Sequence, residues 1–302
     1  MQSPAYVLCT PMRDEMEHLP ELLASVDAQS VRPALWLVVD DHSEDGSLEW
    51  LEEQAAGRPW LQVLSSPEAP DEYLGNHIAR IKSWGLEQAI ARAEAEGREV
   101  GFAGVLDADI ALPADHYERL VAALEAQPEV GVVSSVLETI SEDGVHKEPL
   151  QRADLPRGPT QFFRRACLDA IGGLPRFMGY DGAANAKAIL AGWRTRVVGD
   201  VVARHRRPTA TRFGVAAGFA RRGRYAWFLG HSPILVAARG LAYTRQAPHT
   251  GGYHFVRAWL SSAVHRAPRC DDPQVRHYYG RTRVKENVKA VLGLGPRFFR
   301  SR

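Results

Sequence analysis

Cysteine is scarce in this chain. Only Cys9, Cys167 and Cys270 occur in 302 residues, far apart and odd in number. That excludes a disulfide framework and any zinc-type ligand spacing, and it fits a reducing cytoplasm. Long apolar runs are missing too, for no stretch reaches the ~20 residues that a spanning helix needs. The best, Tyr225 to Ala238, has 14 residues, contains His231 and Pro233, and follows Arg221-Arg222-Gly223-Arg224. It reads as an interfacial or core segment. The N-terminus lacks the basic-then-apolar order of a secretory signal. Strand one is followed by Thr10-Pro11-Met12-Arg13-Asp14-Glu15, with no Gly-x-Gly-x-x-Gly, so a Rossmann dinucleotide site is disfavoured. Walker-type and Gly-x-Ser-x-Gly motifs are also absent.

Carboxylates are nearly absent from the last third. Residues 203–302 hold 20 Lys+Arg against 3 Asp+Glu, whereas residues 1–202 hold 17 against 33. The formal net charge of +1 hides this split. Either the basic third faces something anionic, such as a membrane surface, phosphates or nucleic acid, or it pairs with the acidic body. At 45% apolar and 24% charged residues, the composition is that of a soluble globular protein. The length allows one large domain, or one domain with an appendage.

The apolar pattern alternates strand and helix. Strands are expected at Tyr6–Thr10 (closed by Pro11), Leu35–Val39, Leu61–Leu64, Val100–Leu106 and Val130–Val136. Helices are expected at Leu19–Val26, Ser47–Gln54, Ile78–Glu96, Tyr117–Ala126 and Ala183–Leu190. This alternation predicts a mostly parallel sheet with helices on both faces, and ligands on such sheets sit beyond the carboxyl ends of the strands. Thr10, Asp40, Asp41, Asp107 and Asp109 all fall at such ends. Asp107-Ala108-Asp109 sets two carboxylates at i, i+2, which aims both to one side. Such a pair calls for a cation or for hydrogen-bond donors. Either a hard divalent ion that also grips a diphosphate binds here, or the pair closes a turn before Pro113.

Four stretches form a larger pattern. The first is Pro11-Met12-Arg13-Asp14-Glu15, followed by Leu19-Pro20-Glu21-Leu22-Leu23. The second is Val38-Val39-Asp40-Asp41-His42-Ser43-Glu44-Asp45-Gly46-Ser47, and the third is Asp107-Ala108-Asp109. The fourth runs from Phe162-Phe163-Arg164-Arg165 through Gly172-Gly173-Leu174 and Gly179-Tyr180-Asp181 to Ala191-Gly192-Trp193. In this order and spacing, over roughly residues 5–207, the chain resembles the family 2 glycosyltransferases of the GT-A fold. It departs from the family pattern in having Asp14 for Asn, Lys82 for Arg, Tyr180 for Glu and Ala183 for a second acid.

The resemblance implies a catalytic domain over 1–207 and a helical, basic extension over 208–302. It implies that Thr10, Pro11, Arg13 and Glu15 border the nucleoside and that Asp41 accepts a hydrogen bond from the base. Lys82 would contact the diphosphate, Asp107 would lie near the ribose and the metal, Ala108 would line the nucleotide-sugar site, and Asp109 would bind the metal directly. His205 stands where many relatives place another metal ligand; an imidazole suits Mn2+ better than Mg2+. Asp181 would be the general base, or an N-cap of the helix that follows it.

The implied enzyme is a metal-dependent, inverting, hexosyltransferase-type glycosyltransferase. It moves a sugar from a UDP- or GDP-type donor to a saccharide, small-molecule or lipid-linked acceptor. A retaining transferase, a nucleotidyltransferase and a non-catalytic polyanion-binding protein are the competing readings. No nucleic-acid partner is expected, and the implied location is the cytoplasm, peripherally at the inner membrane face. In the last third, Tyr225–Gly230 and Tyr253–Leu260 interleave aromatics with arginines. That composition suits either a membrane interface or the small core of a helical subdomain.

Overall fold

The computed structural model describes residues 5–69, 71, 75–141, 144–147, 152–206, 214–245 and 249–291. The expected loop at 65–75 is described only in part, and that at 141–157 likewise. The closing segment 292–302 lies outside the described residues. The chain divides into two compact units, one reaching Arg206 and the other spanning Arg207–Arg297.

The first unit begins with β1 (Ala5–Met12), α1 (Leu19–Asp27), β2 (Leu35–Asp40), α2 (Ser47–Ala55), β3 (Leu61–Ser65), α3 (Gly75–Ala95) and β4 (Val100–Val105). It continues with β5 (Ile110–Ala111), α4 (His116–Glu125), β6 (Val130–Ser141) and β7 (Gly144–Lys147). A 3-10 turn at Gly158–Thr160 leads into β8 (Phe162–Arg164), α5 (Arg165–Ala170), α6 (Tyr180–Leu190) and β9 (Arg194–His205). The sheet order is β3-β2-β1-β4-β8-β6-β9-β5, with β7 also on β6. Pairs β3–β2, β2–β1, β1–β4 and β6–β9 are parallel, as the alternation predicts. The sheet is nevertheless mixed, because β8 runs antiparallel between β4 and β6, and β5 and β7 are antiparallel additions.

Alternation along the strands builds two cores. Tyr6, Leu8, Met12, Trp36 and Val38 face α1, α2 and α4, while Val7, Cys9, Leu35, Leu37 and Val39 face α3, α5 and α6. Strand β1 does not stop at Pro11 as expected. Alternate residues of a parallel strand bond to opposite neighbours. Cys9 O accepts from Leu106 N on the β4 side, and Met12 O accepts from Asp41 N on the β2 side. The missing N–H of Pro11 therefore points where β4 has already ended, since pairing with β4 stops at Cys9–Val105. Helix α3 lies close on β1 and β2 because of Gly85: a Cβ there would meet Cys9 Sγ at 2.5 Å and Val39 Cγ2 at 2.7 Å.

The second unit comprises α7 (Val215–Phe228), α8 (Pro233–Thr244), α9 (Gly251–Val264), α10 (Pro273–His277), a π turn (Tyr278–Thr282) and α11 (Arg283–Val291). Its core is aromatic. Phe255, Tyr243 and Tyr278 are buried, with Phe219 and Tyr243 edge-to-face at 5.1 Å and Tyr243 and Phe255 at 5.2 Å. Trp227 packs against Trp259 at 5.7 Å and donates from its indole to Ala267 O. Of the aromatics singled out by composition, Phe255 is buried and Tyr225, Trp227, Phe228 and Trp259 are half-buried. Tyr253 is the exception at 63% exposed. No helix among the described residues is long and apolar enough to cross a membrane.

Candidate active site

The carboxyl ends of β1, β2 and β4 share one sheet edge, and the candidate residues gather there in three groups. The first is built by two stitched turns. Asp14 adopts a left-handed conformation (φ 52°), which Asp tolerates better than most side chains. Its Oδ1 accepts from Glu44 N–H (2.8 Å), and its own N–H donates to Ser43 Oγ (3.0 Å). Glu15 N–H donates to Ser47 Oγ (3.1 Å) and Met16 N–H to Asp45 Oδ2 (3.0 Å). Burial pushes the Asp45 pKa up, but the hydrogen bonds from Ser47 and Met16 outweigh it and bring the carboxyl below its usual value. The Ser-x-Asp-Gly-Ser run is therefore structural: it clamps the β1 turn to the β2 turn.

Asp41 sits under this clamp, fully buried. Both its oxygens lie near His77 Nε2, at 3.0 and 2.9 Å, and Arg13 Nη1 is 3.6 Å from Oδ2. Arg13 also donates to Asp71 O (2.7 Å). Thr10 stands apart from the other candidates. It is fully buried, and its Oγ1 accepts from the Trp36 indole (2.9 Å), so its side chain belongs to the core.

The second group centres on Lys82, which is buried on α3. Its ammonium pairs with Asp107 Oδ1 and donates to the Tyr180 hydroxyl at 2.7 Å, while lying 4.8 Å from the centre of the Tyr180 ring. Burial alone would lower the lysine pKa. Asp107 and the Tyr180 oxygen act against this and raise it on balance, so the group is a fixed cation. Asp107 N–H donates to Pro159 O (3.0 Å), tying the strand end to the 3-10 turn. That turn also holds Asp181, whose Oδ2 accepts from Gly158 N–H (3.3 Å) and whose backbone oxygen accepts from Gln161 Nε2 (3.1 Å). Gly158 fits because a Cβ would lie 2.6 Å from the Tyr180 hydroxyl. Helix α6 starts at Tyr180 after the left-handed Gly179, so Asp181 lies inside the first turn and is not the N-cap. There its charge still complements the helix dipole.

Asp109 and His205 form the third group. Strand β5 pairs with the end of β9, setting Ile110 opposite His205. This places His205 Nε2 3.2 Å from Asp109 Oδ1, and both residues are more than nine-tenths buried. The neighbouring Arg206 N–H donates to Asp109 O (2.9 Å), and its guanidinium pairs with Glu21. The two carboxylates of Asp107-Ala108-Asp109 have different side-chain partners in the chain. The chain turns after Asp107, sending one carboxylate to Lys82 and the other to His205.

Among the described residues no group of three or more His, Cys, Asp or Glu side chains is arranged to hold a metal ion. Asp109 and His205 offer one oxygen and one nitrogen at about the separation of neighbouring ligands around a small divalent ion, roughly 3 Å for ~2.1 Å bonds. The donor set fits such an ion, provided that other ligands come from outside the protein. A separate cleft of about 260 Å³ between α3 and α5, with Leu86, Ile90 and Leu168 among its lining, contains none of the candidate residues.

His77 and Gly158 carry no motif, so sequence reasoning missed them. Tyr180 was visible as a departure from the family pattern, but its bond to Lys82 was not.

The sequence pattern of glycosyl transferase family 2 matches residues 7–178, more than half of the chain. The chain belongs to this family, and the protein is a glycosyltransferase with the GT-A fold. Several solved structures share the fold at low identity. TarS residues 1–349 from S. aureus align with 94% of this chain and 77% of that one, at 16% identity and a TM-score of 0.53. The same protein with UDP-GlcNAc aligns with 96% and 88%, at 15% identity and 0.55. The mannosyltransferase PcManGT from Pyrobaculum calidifontis, in complex with GDP-Man and Mn2+, aligns with 96% and 81%, at 21% identity and 0.54. Against the longer TarS chain, this protein covers 44% of the length. No curated protein matches the chain.

Proposed function

We propose that the protein is a metal-dependent, inverting glycosyltransferase using a UDP- or GDP-type sugar donor, with Asp181 as general base. The observation that carries this reading is the meeting of Asp109 and His205, far apart in sequence, at 3.2 Å beside the strand-end carboxylates. Solved relatives of the same fold hold GDP-Man with Mn2+ or UDP-GlcNAc, which supports a nucleotide-sugar donor here.

Each group has a distinct task. Asp109 and His205 would hold Mn2+ or Mg2+; when bound, the ion stabilises charge on the departing nucleoside diphosphate. Lys82 fixes Asp107. Two of its three N–H bonds are spent on Asp107 and Tyr180, leaving the third for a diphosphate oxygen. Asp107 and Ala108 line the ribose side, and Arg13, Glu15 and Asp41 border the base. Asp41 is held by His77 in a rigid acceptor position. Asp181 Oδ2 is oriented by Gly158 N–H, and Oδ1 has no hydrogen bond among the described residues. An oxygen so placed takes the proton of an acceptor hydroxyl as that hydroxyl attacks the anomeric carbon.

A thermal-shift panel of nucleoside diphosphates, each with and without Mn2+, tests the reading. A ligand that binds only the folded chain raises its melting temperature. We expect UDP or GDP to stabilise the protein only when Mn2+ is present, and Asp109→Asn to abolish the effect. Stabilisation by no nucleotide, or equal stabilisation without metal, would overturn it.

A further inference from the structure

Helices α8 and α9 are packed unusually closely. A Cβ at Gly240 would lie 2.6 Å from Val256 Cγ2, and one at Gly252 would collide with Gly240 O. This contact turns Leu235, Val236, Tyr243 and Phe255 inward. The positions left outside are mostly apolar, where those of an ordinary amphipathic helix would be polar. On α8 they are Ile234 (69% exposed), Ala237, Ala238 and Leu241 (54%). On α9 the stripe is Tyr253 (63%), Arg257, Leu260 (51%) and Val264 (77%), with the exposed Ser261 beside it. The spacings i, i+3/i+4, i+7 make each set one stripe along its helix. Of the eight large hydrophobic side chains exposed among the described residues, five lie on these two helices, so the apolar surface is concentrated there.

The charge around these stripes has one sign. The sequence contains no Asp or Glu between Asp200 and Asp271. Arg245, Arg257 and Arg266 are exposed on or just beyond the two helices. A second copy of the chain is a poor cover for such a face. A twofold contact would bring the same arginines together with no carboxylate from this segment to answer them. A bilayer containing anionic lipid answers both features at once. Its acyl boundary takes the aliphatic side chains, its phosphates take the arginines, and a tyrosine suits the headgroup level between them.

We propose that the α8–α9 pair docks on an anionic membrane surface. Ile234, Leu241, Leu260 and Val264 enter the acyl boundary, Tyr253 sits at headgroup depth, and Arg245, Arg257 and Arg266 contact lipid phosphate. This inference does not depend on the donor or mechanism proposed above.

The test is flotation of the full chain with phosphatidylcholine vesicles, with and without phosphatidylglycerol. Binding is expected only to the anionic vesicles, and it should weaken with salt. Ile234→Ser/Leu260→Ser is expected to weaken it roughly tenfold or more. Arg257→Gln/Arg266→Gln should also weaken it, by roughly fivefold per arginine. All four positions are exposed, so melting temperature and nucleotide-induced stabilisation should stay at wild-type values. Absence of binding, equal binding to both vesicle types, or binding indifferent to these substitutions would overturn the proposal. So would a dimer, seen by light scattering, that Ile234→Ser/Leu260→Ser dissociates while vesicles leave the chain unbound; that result assigns the face to a second copy.

Discussion

Replacing His116 by phenylalanine should make the protein less sensitive to acid. His116 opens α4, is fully buried, and stacks edge-on against Tyr117 at 4.8 Å. Among the described residues neither ring nitrogen has a hydrogen-bond partner. Burial without compensation disfavours the charged ring and pulls its pKa from 6.5 down to about 3. The unfolded chain takes up a proton below about pH 6.5, while the folded chain resists doing so until about pH 3. The unfolded state therefore binds more protons in this window, and stability falls as the pH drops through it, by at most about 1.4 kcal/mol per pH unit. Between pH 7 and pH 5 the loss from this one residue is about 2 kcal/mol, and that figure barely depends on how far below 4 the folded value lies. For a unit of this size it corresponds to roughly 4–8 °C in melting temperature. The phenylalanine variant lacks the titration and leaves no ring nitrogen unpaired, each of which costs ~1–3 kcal/mol. It should be at least as stable as the wild type at pH 7 and pull ahead by about 2 kcal/mol at pH 5. Thermal melts of both proteins across this range measure the difference directly, since every other titrating group is common to the two. Parallel pH profiles would refute the reasoning.

Other perturbations probe the site itself. Asp181→Asn should keep metal-dependent nucleotide binding while lowering turnover by roughly 10²–10⁴-fold, the usual contribution of a general base; normal turnover would remove Asp181 from that role. Asp109→Asn should instead weaken nucleotide and metal binding together, as read by the same thermal-shift assay. Tyr180→Phe keeps the ring but loses the bond to the ammonium. It should destabilise by roughly 1.5–3 kcal/mol in urea unfolding, and most of that loss should vanish in a Lys82→Met background. Gly85→Ala forces α3 away from Cys9 and Val39 and should cost roughly 1–3 kcal/mol. If its melting temperature were unchanged, the close approach of α3 to β1 would be wrong.

Much of the fold could be read from the sequence because its signals are local. The repeat of Leu19, Leu22, Leu23 and Val26 gives α1, and all four are buried. Strands β1 to β4 follow from short apolar runs closed by Pro, Asp or Ser. The antiparallel β8 is different: Phe162-Phe163-Arg164 is only three residues long, and nothing local marks it as an insertion between β4 and β6. The N-terminus of α6 was placed too late because Gly179 caps it by backbone conformation, without a side-chain signal. At the site, motifs singled out the acids proposed to act but not the groups that contact them. His77 lies on a different element from Asp41, and the Lys82–Tyr180 contact spans 98 residues. In the last third, composition singled out the aromatics, whose burial it could not give. Phe255 is buried and Trp227 half-buried against Trp259, whereas the exposed Leu241 and Val264 carry no sequence signal of their own.

The contact between Lys82 and Tyr180 also explains how the site carries so much negative charge. Asp41, Asp107, Asp109 and Asp181 all lie at or beside one sheet edge, and like charges so placed repel one another. Each is answered separately: Asp41 by His77 and Arg13, Asp107 by Lys82, Asp109 by His205, and Asp181 by the Gly158 N–H of the 3-10 turn. The two departures from the family pattern meet at the second of these. A lysine stands where arginine is usual and a tyrosine where glutamate is usual, and they touch. Tyrosine supplies an oxygen to the ammonium without adding a carboxylate, so Asp107 keeps most of the lysine's charge. A glutamate at 180 would compete with Asp107 for the same cation and place another anion near the region proposed for the diphosphate. The pair is therefore best understood as one feature, in which the shorter, point-charge cation and the neutral hydroxyl depend on each other.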